Sequence, residues 1–147
     1  MQSLGTELQA SGYQLDHPAV FSCLGVTQYL SAVALQTTLA PLAHAAAGSH
    51  VIVGYLVAEK LLDADNRRVR TFLNVVTAAC GEPILTDFTP AAFRTHLEAW
   101  GWTALTDLGA ESGLAHYTAG RTDGLQHPQT HRLLHARVGN PPTRAPH

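Results

Sequence analysis

Two apolar runs with a helical stretch between them constrain this chain more than any other feature. Residues 19–25, Ala-Val-Phe-Ser-Cys-Leu-Gly, and residues 51–57, Val-Ile-Val-Gly-Tyr-Leu-Val, each read as a strand. Between them Leu35, Leu39, Leu42 and Ala46 recur at i, i+4, i+7 and i+11, one face of a helix. Strands joined by a crossover helix run parallel, and the crossover is right-handed because strand twist and helix hand leave only that packing. The second run is nearly continuous rather than alternating, the pattern of a strand covered on both faces. The fold class is therefore α/β. Charged residues make up 14% of the chain, against the usual ~25%, which agrees with buried strands.

The remaining elements follow from punctuation and periodicity. Residues 3–12 read as a short helix carrying Leu4 and Leu8, with Gly12 as its stop. Asp16-His17-Pro18 is turn chemistry. Ser31 can cap the helix that follows the first strand; Pro41 should kink it and Gly48 end it. Asp63 can cap a third helix with Val69, Phe72, Leu73 and Val76 as its buried stripe and Gly81 as its stop. Thr89-Pro90 starts a fourth, with Phe93, Leu97 and Trp100 on one face and Gly101 at its end. Residues 103–108 form a third strand, 111–119 a short helix or irregular loop, and 131–138 a fourth strand. The expected order is β-α-β-α-α-β-(α)-β. The tail 139–147 holds three of the eight prolines and should be disordered.

Composition excludes several functions. A net charge of −2 gives no basic field to recruit nucleic acid or an anionic membrane. No apolar run reaches the ~20 residues of a membrane span. The first residues, MQSLGTELQASG, lack the basic and apolar regions of a signal peptide. Cys23 and Cys80 read as two buried, reduced thiols, and a cytoplasmic location follows.

A strand delivering a short loop and then a helix is how open α/β sheets build ligand sites. Here that loop is Gly25-Val26-Thr27-Gln28-Tyr29-Leu30. Other chemistry-bearing patterns are absent: no GxSxG elbow, no GxGxxG, no P-loop. Of nine histidines, only His127, His131 and His135 have i, i+4 spacing, and Pro128 with Leu133-Leu134 argues for a loop and strand rather than a zinc-binding helix. Arg121 could pair bidentately with a carboxylate of substrate or cofactor, or pair internally with Asp123.

The stretch LQASGYQLDHPAVFSCLGVTQYLS resembles a signature of the S-adenosylmethionine-dependent methyltransferases related to leucine carboxyl methyltransferase. GSHVIVGYLVAEKLLD, GEPILTDFTPAAFRTHLEAWGWTALTDLG, and HYTAGRTDGL followed by HRLLHARV resemble that family's later segments in the same order. The resemblance covers residues 3–138 and implies the fourth to seventh strands of a Rossmann-like methyltransferase sheet. It implies a partial sheet of about four strands, mostly parallel with an antiparallel last strand, flanked by helices. The last strand should insert between the second and third. Residues 1–138 would be the carboxy-terminal half of a methyltransferase domain, lacking the upstream glycine loop that holds the cofactor.

By the same resemblance, S-adenosylmethionine is the cofactor. Leu24, Gly25, Val26, Thr27 and Tyr29 would contact it, and Tyr55, Tyr117 and Arg121 would face a small-molecule acceptor. The acceptor atom would be a carboxylate or hydroxyl oxygen. The chain departs from the family at three points: Gly54 replaces a frequent acidic residue, Cys23 a frequent tryptophan, and Pro41 is unusual in its helix. Three readings follow: a methyltransferase half, a non-catalytic remnant or interaction protein, and a subunit active only with a complementing chain. With one neighbour of strand 19–25 missing, its open edge should support a homodimer or a complementing chain, and lysine at Phe21 should favour the monomer.

Overall fold

The computed structural model describes residues 4–124 and 128–139. The strands are β1 (Val20–Cys23), β2 (His50–Leu56), β3 (Trp102–Leu108) and β4 (His131–Val138), in the spatial order β1-β2-β4-β3. β1 and β2 are parallel, Val20 opposite His50. β4 runs antiparallel to both β2 and β3 and lies between them, Tyr55 opposite Arg132 and Leu108 opposite Leu133. The expected parallel pair and the inserted last strand are both present. A bulge between Ala104 and Thr106 interrupts β3, and Leu105 there is exposed.

The helices are α1 (Leu4–Ala10), α2 (Ala32–Leu42), α3 (Ala64–Ala79), α4 (Pro90–Ala99) and the single turn α5 (Ala115–Thr118). The three caps read from sequence are in place. The Ser31, Asp63 and Thr89 side chains accept from the backbone N–H of Ala34, Asn66 and Ala92. Pro41 acts differently from the expected kink. α2 ends one residue after it, well short of Gly48, in a tightened turn where the Ala43 N–H bonds Ala40 O. The Leu39 carbonyl is then available to accept from the Trp102 indole N–H at 3.0 Å.

The core lies on one face of the sheet. Leu35 and Leu39 of α2 and Phe93 and Leu97 of α4 pack on Val51, Val53, Tyr55, Leu134 and Ala136. The opposite face bears out the expectation of cover on both sides only in part: Gly54 and Leu56 of β2 are buried there, but the flanking strands are open. Val20, Ser22, Thr103, Thr106 and Arg137 are exposed there, and His50, Ile52, Leu133 and His135 are half-buried. A continuous apolar run records that a strand can be covered twice; it does not place the second cover in the neighbouring sequence.

α3 departs furthest from its reading. Val69, Phe72 and Val76 are 46%, 66% and 40% exposed, Leu73 is half-buried, and Arg70 is the helix's one buried side chain. Arg70 is drawn inward by Asp87 Oδ2 at 3.0 Å and Asn74 Oδ1 at 3.1 Å. An ion pair with the 84–87 segment, rather than the apolar stripe, sets how this helix sits. Cys23 is half-buried and burial pushes its thiol up, whereas Cys80 is exposed, against the expectation of two buried thiols; both are unpaired. No helix among the described residues is long and apolar enough to cross a membrane. The expected disorder of the tail falls, from residue 140 onward, outside the described residues.

Candidate functional site

The carboxyl ends of β1 and β2 carry a braced arch, residues 24–30. Gly25 begins it with φ +68°, in the left-handed region that glycine enters freely. A Cβ added there would meet nothing within 4 Å, so conformation and not crowding asks for glycine. The chain then makes a short 3₁₀ turn, Thr27–Tyr29. Thr27, 1% exposed, donates its hydroxyl to Gly54 O of β2 at 2.6 Å. Its carbonyl accepts from Thr86 Oγ1 at 3.0 Å, and the Gln28 carbonyl accepts from the Leu85 N–H at 2.7 Å. Gln28 Nε2 donates back to Gly25 O at 3.2 Å.

The five residues placed here by resemblance therefore divide. Leu24, Gly25 and Val26 form the exposed outer surface of the arch, Tyr29 is half-buried, and Thr27 is committed to holding the arch on β2. Replacing Thr27 by valine removes the hydroxyl and leaves the Gly54 carbonyl short of a donor. That substitution is expected to cost about 1–3 kcal/mol in denaturant unfolding.

Tyr55, Tyr117 and Arg121 differ in exposure and in their partners. Tyr55 is fully buried, stacks on Phe93 at 4.3 Å between centroids, and donates its hydroxyl to Asp107 Oδ2 at 2.7 Å. Burial, with that bond to Asp107 second, pushes its ionisation far above the ordinary tyrosine range. Tyr117 is 73% exposed on α5. Arg121 makes the internal pairing, Nε to Asp123 Oδ1 at 3.0 Å and Nη2 to Oδ2, with both side chains exposed.

Arg132, which the sequence reading missed, stands opposite Tyr55 near the carboxyl end of β2. Its Nε bonds Asp107 Oδ1 at 2.8 Å, its Nη2 the Asp107 carbonyl at 3.3 Å, and its Nη1 the Glu111 carboxylate. Arg132 and Asp107 are 15% and 9% exposed. A signal for Arg132 did exist: it stands at an inward position of a strand whose other inward positions, Leu134 and Ala136, are apolar, whereas Asp107 is turned inward only by the bulge after Ala104. A charge on the apolar side of a period-2 strand needs a buried partner. The Arg132 hydrogen bond holds the Glu111 carboxyl below its ordinary range.

Beside this end, Ala58, Glu59, Lys60, Asp87, Phe88 and Thr89 line an open cleft of about 460 Å³. Its floor is pinned where the Ala58 N–H bonds Phe88 O and the Phe88 N–H bonds Leu56 O, both at 2.9 Å. His127 lies outside the described residues; His131 and His135 stand in β4, and His135 Nε2 lies 2.9 Å from His50 Nδ1. Among the described residues no three metal-ligating side chains converge.

Neither a protein-family model nor a curated protein sequence matches the chain. Solved structures do. A DUF574 family protein from Streptomyces avermitilis superposes with TM-score 0.61 at 15% identity, over 93% of this chain and 53% of its own. Methyltransferase CalO6 gives 0.56 at 15%, over 82% and 35%. Human N-acetylserotonin methyltransferase, solved in complex with S-adenosylmethionine, gives 0.51 at 14%, over 82% and 29%. The chain thus spans about half the length of the first and about a third of the others, and its fold is methyltransferase-like.

Proposed function

We propose that this chain is the carboxy-terminal half of a class I methyltransferase that moves a methyl group from S-adenosylmethionine to an oxygen, carboxylate or hydroxyl, of a small molecule. The observation that carries the reading is the arch. In a β1-β2-β4-β3 sheet whose fold is similar to that of solved methyltransferases, it presents Leu24, Gly25 and Val26 outward at the carboxyl end of the parallel pair.

That surface fits an adenosyl-type group in part. Two exposed apolar side chains flank a glycine with open space beside it. Bound there, S-adenosylmethionine would supply an electrophilic sulfonium methyl. Thr27 and Gln28 keep the arch rigid, so the outer backbone is presented in one geometry. A carboxylate nucleophile would need no general base. The cleft beside Lys60 and Thr89 is the acceptor's candidate seat. Contacts for the cofactor's carboxylate and ribose would come from the half of the sheet that the neighbours carry beyond the matched region.

The isolated chain should accordingly bind S-adenosylmethionine weakly, with a dissociation constant of about 1 mM or worse. Amide spectra recorded with millimolar cofactor test the site. Shifts centred on residues 24–29 are expected. Shifts centred elsewhere, or none, would remove the arch from the reading, and micromolar affinity by calorimetry would show that the chain needs no complement.

A second reading, an interaction or complementing subunit acting through β1, is favoured by a separate observation: among the described residues β1 has a strand neighbour on one side only, and Val20 and Ser22 on the sheet face beside it are exposed. Its partner would be a second copy or a chain supplying further strands. The domain extent 1–138 and a cytoplasmic location belong to the same proposal.

A further inference from the structure

Arg132 holds two carboxylates of different kinds. Asp107 is a fixed partner: it is 9% exposed, grips Nε at 2.8 Å, and is itself held by the buried Tyr55 hydroxyl at 2.7 Å. Glu111 is 63% exposed and meets only Nη1. It rides on a π-helical turn, Ala110–Leu114, a rare geometry that recurs at functional sites. Gly109 completes the arrangement. A Cβ there would overlap Arg132 Nη1 and lie 2.6 Å from Glu111 Oε2, so glycine lets the guanidinium and a carboxylate meet close against the backbone.

We propose that Arg132 is a carboxylate-binding residue, and that Glu111 occupies its Nη1 edge until the carboxylate of a small-molecule ligand displaces it. The location supports this. Arg132 lies opposite Tyr55, one residue before β2 ends, at the same end of the sheet as the arch. The exchange replaces one carboxylate by another, so the guanidinium is never left buried and unpaired, the state that costs most. Asp107 and Tyr55 meanwhile hold the fork in one orientation, which a planar carboxylate can meet. Arg121 differs: it pairs with Asp123, two residues away, and both side chains are exposed. The inference rests on the methyltransferase reading only in taking the ligand to be the methyl acceptor.

Acetate is the probe, with chloride at equal ionic strength as the control and no S-adenosylmethionine present. The readout is the Nε–H resonance of Arg132. In Glu111→Gln, millimolar acetate should move this resonance saturably and chloride should not. In the parent chain the tethered Glu111 competes at a high local concentration, so acetate should act at least about tenfold more weakly. Arg121→Lys should respond like the parent. A resonance that does not move in Glu111→Gln, or moves equally with chloride, overturns the site. Equal acetate affinity in parent and Glu111→Gln overturns displacement by Glu111. Because no cofactor is used, these outcomes stand apart from those that test the methyltransferase reading.

Discussion

Arg132→Met should destabilise the chain by about 3–5 kcal/mol, because it strands Asp107 as a buried charge with only the Tyr55 hydroxyl for company. A domain of this size is held by about 5–15 kcal/mol, so the variant should be largely unfolded in mild denaturant. The triple replacement Tyr55→Phe, Asp107→Leu, Arg132→Met removes the charges and hydroxyl together, and should recover most of that loss. Equal instability of the single and triple variants would mean that packing volume, not the stranded carboxylate, is responsible. Urea midpoints with unchanged slopes make the comparison.

The Glu111 arm adds a pH dependence whose sign is determined. Its folded ionisation lies below the ordinary value of 4.5. The stabilisation is therefore present above about 4.5, and is lost as pH falls through the lower folded value. Glu111→Gln should remove that acid-side slope. Glu111 is well exposed, so solvent screening keeps its share small.

The second large effect is association. The purified chain should form dimers or larger species at micromolar concentrations by sedimentation. Val20 is 68% exposed at the open edge of β1, beside an apolar groove of about 370 Å³ lined by Leu4, Leu8, Phe21 and Leu42. An unpaired, uncharged strand edge recruits another strand. The α3 stripe of Val69, Phe72, Val75 and Val76 enlarges the exposed apolar surface. The structure changes which residue tests this. Phe21 points into the covered face, edge-on to Tyr13 at 5.6 Å and Trp102 at 6.5 Å, so lysine there would damage packing before it altered the edge. Val20→Lys places the charge on the open side. It should yield a monomer with an unchanged unfolding midpoint. A monomeric parent chain would show that the edge is protected.

Strand order shows what local pattern can and cannot carry. The parallel β1-β2 pair follows from two apolar runs with a helix between them, since geometry leaves a crossover no other arrangement. Helix starts were equally legible: Ser31, Asp63 and Thr89 satisfy backbone donors within three residues, so their role is local. The insertion of β4 between β2 and β3 came instead from the resemblance, because twenty residues without strong periodicity separate the last two strands.

What the sequence determined by itself was therefore whatever closes within a few residues or one crossover: the strands, the caps and the glycine at the head of the arch. Tertiary structure decided which side each element shows. α3 turns Arg70 inward and leaves its apolar stripe outside, because Asp87 and Asn74 satisfy the guanidinium there. Arg132 is buried beside the carboxyl end of β2 because the pairing of β3 with β4 brings Asp107 within 2.8 Å of it, whereas Arg121 pairs locally with Asp123 in the connection between β3 and β4. Asp87 and Asp107 lie 17 and 25 residues from the arginines they pair with, and only the folded backbone sets such distances.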